Sequence, residues 1–177
     1  AFSSESYNGV TFPGSNFPWL ATNIEFTANG DFSGVVGTDG DNVTNLNSKV
    51  AKFAIVNIDG ENIGLIGAVA PSFPFITSLG DLIVTPAVNA SIAQLAAEIQ
   101  PSVDALALAG VNKIILLAHM QSIAIEKQLA TLLDGVDIIV AGGSNTRMGD
   151  SNDTLFSNLL LTDLLFDETY PFQSTGA

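Results

Sequence analysis

Hydrophobic and polar positions change rhythm twice along the chain. From Ala1 to Asp31 aromatic residues alternate with turn formers, and Phe12-Pro13-Gly14 and Phe17-Pro18-Trp19 bracket turns. Trp19–Phe26 then reads as a strand with Leu20, Thr22, Ile24 and Phe26 on one face. Gly30–Ser48 is polar and rich in Gly, Asp and Asn, the composition of a surface loop. Two apolar runs follow, Ala51–Ile58 and Asn62–Val69, flanking Asp59-Gly60. Asp-Gly between apolar runs is a hairpin signal, because the tight turn needs left-handed backbone that these residues tolerate. The apolar density of both runs predicts buried strands. Pro71–Pro86 holds neither period and reads as irregular.

From Ser91 the period becomes helical. Ile92, Leu95, Ala96, Ile99, Val103 and Leu106 fall on one face, with Ser91 as the N-cap. Pro101 lies inside this run and predicts a kink or a division into two helices, since it removes a hydrogen bond and crowds the preceding turn. Gly110 ends the helix, and Asn112–Ala118 reads as a wholly buried strand. Ile123–Leu133 is a second helix closed by Asp134-Gly135, and Asp137–Ala141 is another buried strand, broken by Gly142-Gly143. Helix–strand–helix–strand with short loops predicts parallel strands joined by crossovers, hence an α/β class. In the remainder, Ser144–Ala177, one apolar stretch, Leu155–Phe166, fits helix and strand equally.

Composition narrows the function. A chain of 177 residues makes one domain, spanning 1–177. The absence of cysteine excludes disulfides, thiolate zinc sites, iron–sulfur clusters and cysteine nucleophiles. Eighteen acidic residues face only Lys49, Lys52, Lys113, Lys127 and Arg147, for a net charge of −13. Such a surface repels phosphate backbones and anionic membranes, so no nucleic-acid partner is expected. The apolar stretches Ile114–Ala118 and Val136–Ala141 are far too short for a membrane span. A charged fraction of only 13% among many Asn, Ser, Thr and Gly suits a secreted, periplasmic or cell-surface protein. The start without methionine and the stop at Ala177 lead us to expect a segment of a longer polypeptide.

Ligands of open α/β sheets gather at the carboxyl ends of parallel strands. One strand runs out at His119, the lone histidine; the next runs out at Gly142-Gly143-Ser144-Asn145-Thr146, with Arg147 following. On neighbouring strands these residues share one rim, where glycines permit close approach of a ligand. The simpler alternative is a solvated histidine beside a plain glycine turn. One histidine cannot by itself make a metal centre. The acidic loops Asp39-Gly-Asp41-Asn42 and Asp150-Ser-Asn-Asp153 lack the glycine and distal glutamate of an EF-hand. They read as solvated loops, with a calcium-stabilised extracellular domain as the alternative. Asn42, Asn89 and Asn152 are glycosylation sequons in a glycosylating host.

At these residues the sequence resembles a known family. Val111-Asn-Lys-Ile-Ile-Leu-Leu-Ala-His119, a helix, then Leu133-Asp-Gly-Val-Asp-Ile-Ile-Val-Ala-Gly-Gly143 is similar to the second half of a calcineurin-like metallophosphoesterase domain. The likeness is to the 5′-nucleotidase and bacterial alkaline-phosphatase branch. Phe17-Pro-Trp-Leu-Ala-Thr-Asn23 resembles a family strand ending in Ala-Asn, and Val56–Gly67 resembles the family's Gly-containing hairpin. The resemblance runs in order from Phe12 to Thr146.

It implies part of a double-sheet sandwich flanked by helices, with parallel strands ending at His119 and Gly142. For the parent protein it implies hydrolysis of phosphate monoesters or 5′-nucleotides by water activated between two divalent metal ions. His119 falls where the family has a metal-ligand histidine. Where the family has Gly-Gly-His-x-His, this chain has Gly142-Gly143-Ser144-Asn145-Thr146, a substrate loop or a former metal-ligand loop. The family's earlier metal-binding motifs are not among these residues, so no catalysis is expected from the segment alone. The alternative is a non-catalytic binding module descended from the family. A truncated sheet would also leave an edge open to self-association.

Overall fold

The computed structural model describes residues 5–28, 30–150, 152–153, 168–169 and 172–174. The apolar stretch Leu155–Phe166 lies outside them.

An N-terminal hairpin pairs β1 (Glu5–Tyr7) with β2 (Val10–Phe12). β3 (Trp19–Leu20) and β4 (Ile24–Glu25) follow, and β5 (Val50–Ala51) pairs parallel with β3. β6 (Phe53–Ile58) and β7 (Glu61–Val69) form the hairpin signalled by Asp59-Gly60. Both turn residues are left-handed, with φ of 53° and 89°. β8 (Ile83–Val84) pairs antiparallel with β4. Then come α1 (Ile92–Leu108), β9 (Ile114–His119), α2 (Ile123–Leu132) and β10 (Ile138–Gly142). β11 (Met148–Gly149) pairs parallel with β12 (Glu168–Thr169).

The central sheet runs β10-β9-β7-β6, with β7, β9 and β10 parallel and β6 antiparallel. Its core face carries Ile66, Ala68, Ile114, Leu116 and Ala118, packed with Leu95, Ile99, Val103 and Leu106 of α1 and Leu129 of α2. Gly64 lets α1 approach: a Cβ there would stand 2.6 Å from Leu106 Cδ1. Ser91 caps α1 in a full capping box, its Oγ accepting from Gln94 N–H while Gln94 Oε1 accepts from Ser91 N–H.

The second face is covered unevenly. Leu20, Val43 and Leu46 pack over Ala54 and Ala51. β3 comes so close to β7 that a Cβ on Gly67 would collide with the Leu20 carbonyl oxygen. Over β9 and β10 this face is open: Leu117, Ile138 and Val140 are 41%, 53% and 52% exposed.

Four expectations need correction. Asn112–Ala118 is not wholly buried, because β9 alternates between the packed and the open face. Asp137–Ala141 is not a buried strand either: β10 pairs on one side only among the described residues and lacks cover on one face. Trp19–Phe26 is not one strand. The chain turns at Ala21–Asn23 because Thr22 and Asn23 point inward and bond to distant groups in place of a ladder. Of the two outcomes expected at Pro101, a kink or a division, the division does not occur: α1 runs unbroken from Ile92 to Leu108. Pro101 and Ala97, whose carbonyl loses its partner, both lie on the exposed face where water can solvate it.

Candidate functional site

β9 and β10 end side by side. Ala118 is in register with Ala141 and His119 with Gly142. On the other flank His119 pairs with Val69, and its carbonyl accepts the Ala70 N–H at 3.1 Å. The histidine backbone is thus fixed between two strands while its side chain is exposed.

The glycine pair forms the floor for the imidazole. A Cβ on Gly142 would lie 3.0 Å from the Ala118 carbonyl oxygen and 3.5 Å from His119 Nδ1. One on Gly143, which has φ of 87°, would lie 2.6 Å from His119 Nε2 and 3.3 Å from Gln121 Cδ. Beyond it the loop closes on itself: Thr146 Oγ1 and N–H both reach Ser144 Oγ, at 3.0 and 3.4 Å. Asn145 is left-handed, with φ of 54°. The structure therefore brings His119 against Gly142 and Gly143, and Ser144–Thr146 continue the loop beyond them.

The sequence reading missed Glu126. It lies in the first turn of α2, only 3% exposed, with Oε1 accepting the Met120 N–H at 3.2 Å. Oε2 has no hydrogen-bond partner. Burial pushes its carboxyl above the usual glutamate range, against smaller pulls from its own and the Met120 backbone N–H and from the His119 charge. The signal was available. Glu126, Leu129 and Leu133 are spaced as one helical stripe, and an acid on an apolar stripe is a departure from pattern.

The donor set at the rim does not fit a two-metal centre. Among the described residues no group of three or more His, Cys, Asp or Glu converges, and the two hydroxyls are bonded to each other. In the acidic loops, Asp39 Oδ1 accepts Lys52 N–H, and Asp41 Oδ1 accepts Asn42 N–H and Asn45 Nδ2. Asp150 and Asp153 likewise take backbone N–H groups of their own loop. Those carboxylates shape their turns.

No family model matches the chain. Among curated proteins it is 28% identical over 137 residues to a 5′-nucleotidase of Bos taurus, covering 77% of this chain and 20% of that one. It is 26% identical over 132 residues to a snake venom 5′-nucleotidase of Crotalus adamanteus, covering 75% and 19%. In fold it matches the 5′-nucleotidase precursor of Thermus thermophilus, with a TM-score of 0.66 and 24% identity over 89% of this chain and 25% of that one. The chain is 5′-nucleotidase-like. It spans about a fifth of the length of the curated relatives it matches. The 5′-nucleotidase-like α/β fold was thus legible from the strand–helix–strand block around His119. Among the described residues no helix is long and apolar enough to cross a membrane.

Proposed function

We propose that this chain is a segment of a metal-dependent phosphoesterase whose parent hydrolyses phosphate monoesters of the 5′-nucleotide class. The observation that carries the reading is His119, exposed at the carboxyl end of β9 and in register with Gly142 in a 5′-nucleotidase-like chain. Ligands of such sheets meet the protein there. The divalent ions would draw most of their ligands from parts of the parent outside these residues, since one imidazole cannot hold two metals. The open face at Leu117, Ile138 and Val140 supports the same reading: it is apolar surface of the kind a further layer covers. A secreted or periplasmic location belongs to this proposal, supported by the venom relative and the low charge density.

The segment alone should be inactive. Incubating it with Mn, Zn or Ca on nitrophenyl phosphate and AMP should give background rates. Robust turnover that vanishes in His119→Ala would overturn the division between segment and parent.

A non-catalytic binding module is the second reading, favoured by the mutually bonded Ser144 and Thr146 where the family resemblance expects histidines. Intact metal-binding motifs elsewhere in the parent select the enzyme; their loss selects the module. The outer edge of β10 also offers a surface for pairing with a second copy. Light scattering at working concentration should give a dimer or larger species, and a monomer removes that proposal.

A further inference from the structure

A buried carboxylate with one oxygen unpartnered is destabilising, so its presence requires a local reason. Glu126 is such a group, and its bonded oxygen holds the amide of Met120, the residue next to His119. The turn it grips is unusual. Gln121 adopts φ of 63°, a region that residues with a side chain occupy sparingly. The same turn carries two groups onto Gly143: the point where a Cβ would stand is 2.6 Å from His119 Nε2 and 3.3 Å from Gln121 Cδ. The turn between β9 and α2 therefore leads straight out of the strand end that carries the imidazole and sets where the Gln121 amide lies, and Glu126 bonds its backbone from the buried side.

We propose that Glu126 is a positioning residue, whose carboxylate grips the Met120 amide and so keeps His119 seated against Gly143 at the rim. The idea rests on the reading of His119 as part of a phosphoester site, but its test requires no turnover.

The chain has a single histidine, so the carbethoxyimidazole absorbance formed with diethyl pyrocarbonate reports on that imidazole alone. Glu126→Met fills the space without an oxygen acceptor; Glu126→Gln keeps the acceptor. In Glu126→Met the Met120 amide should exchange hydrogen about tenfold faster, the factor one lost hydrogen bond gives. The rate of His119 modification should change several-fold. Glu126→Gln should restore both rates. A purely structural glutamate would leave His119 modification unchanged, whatever the melting temperature does. Exchange and modification rates equal to wild type in Glu126→Met, or no rescue in Glu126→Gln, would overturn the proposal. Should Glu126→Met not fold, Glu126→Asp withdraws the oxygen from Met120 while keeping the charge, and the same two rates decide. Because neither readout involves phosphate chemistry, an inactive parent would overturn the phosphoester reading alone.

Discussion

His119 rests directly on Gly143, with no room between them for a side chain: a Cβ at Gly143 would stand 2.6 Å from His119 Nε2. Glycine is required there by its φ of 87°, while the exposed imidazole can swing away from an added Cβ. Gly143→Ala should therefore lower stability by about 1–2 kcal/mol, from backbone strain. It should also push the imidazole outward, so that His119 reacts faster with diethyl pyrocarbonate. Urea melts and modification rates measured on the same sample check both effects.

Asn23 ties three parts of the chain together. Its Nδ2 donates to the carbonyls of Val69 and Thr85, at 2.8 and 2.9 Å, and its Oδ1 accepts the Val69 N–H at 2.9 Å. Asn23→Asp removes two donors and turns a carboxylate toward two carbonyls. A loss of about 3 kcal/mol or more is expected, because buried acceptors are left unpaired and a charge is desolvated. Chemical denaturation measures it.

What the sequence made legible was local. The Asp59-Gly60 hairpin, the Ser91 cap and the stripe of Leu95, Ile99, Val103 and Leu106 each follow from chemistry within a few residues. The rim was legible because short crossovers force neighbouring strands to end together, which sets His119 beside Gly142. Features that depend on distant partners were not. Thr22 and Asn23 look like strand residues until Ser102, Val69 and Thr85 are brought to them. The apolar run of β10 looks buried because the pattern reports what a strand could bury, not whether cover exists on both faces. Glu126 stood on an apolar stripe, but only the folded turn shows that it reaches the Met120 amide.

A single substitution on the open face tests the proposal that this chain is a segment of a longer polypeptide. Val140 is 52% exposed, so Val140→Lys should change the stability of this chain by no more than about 0.5 kcal/mol. In a longer polypeptide that covers this face, the same change would bury an unpaired charge and sharply destabilise the protein. Thermal melts of both forms make the comparison. Equal tolerance in the two would remove the open face as support for the segment reading.

Glu126 gives stability a characteristic pH dependence. Its folded-state carboxyl titrates above the ordinary glutamate range because it is buried. Between the unfolded and the folded value the native state keeps a proton that the unfolded state has lost, so stability falls as pH rises through that window. The contribution is fully present below the unfolded value and lost above the folded one. Glu126→Gln should flatten this slope in urea melts run across the acidic range; an unchanged slope would mean that Glu126 does not bring it about.

The decisive measurement is phosphate release by the parent polypeptide. Supplied with Mn or Zn, it should release phosphate from AMP, stop when the metal is chelated, and lose about tenfold to a hundredfold in rate on His119→Ala, the range a change beside a bound metal gives. A parent that hydrolyses no phosphate ester under any of these metals, or one whose rate is indifferent to His119→Ala, would contradict the proposed function.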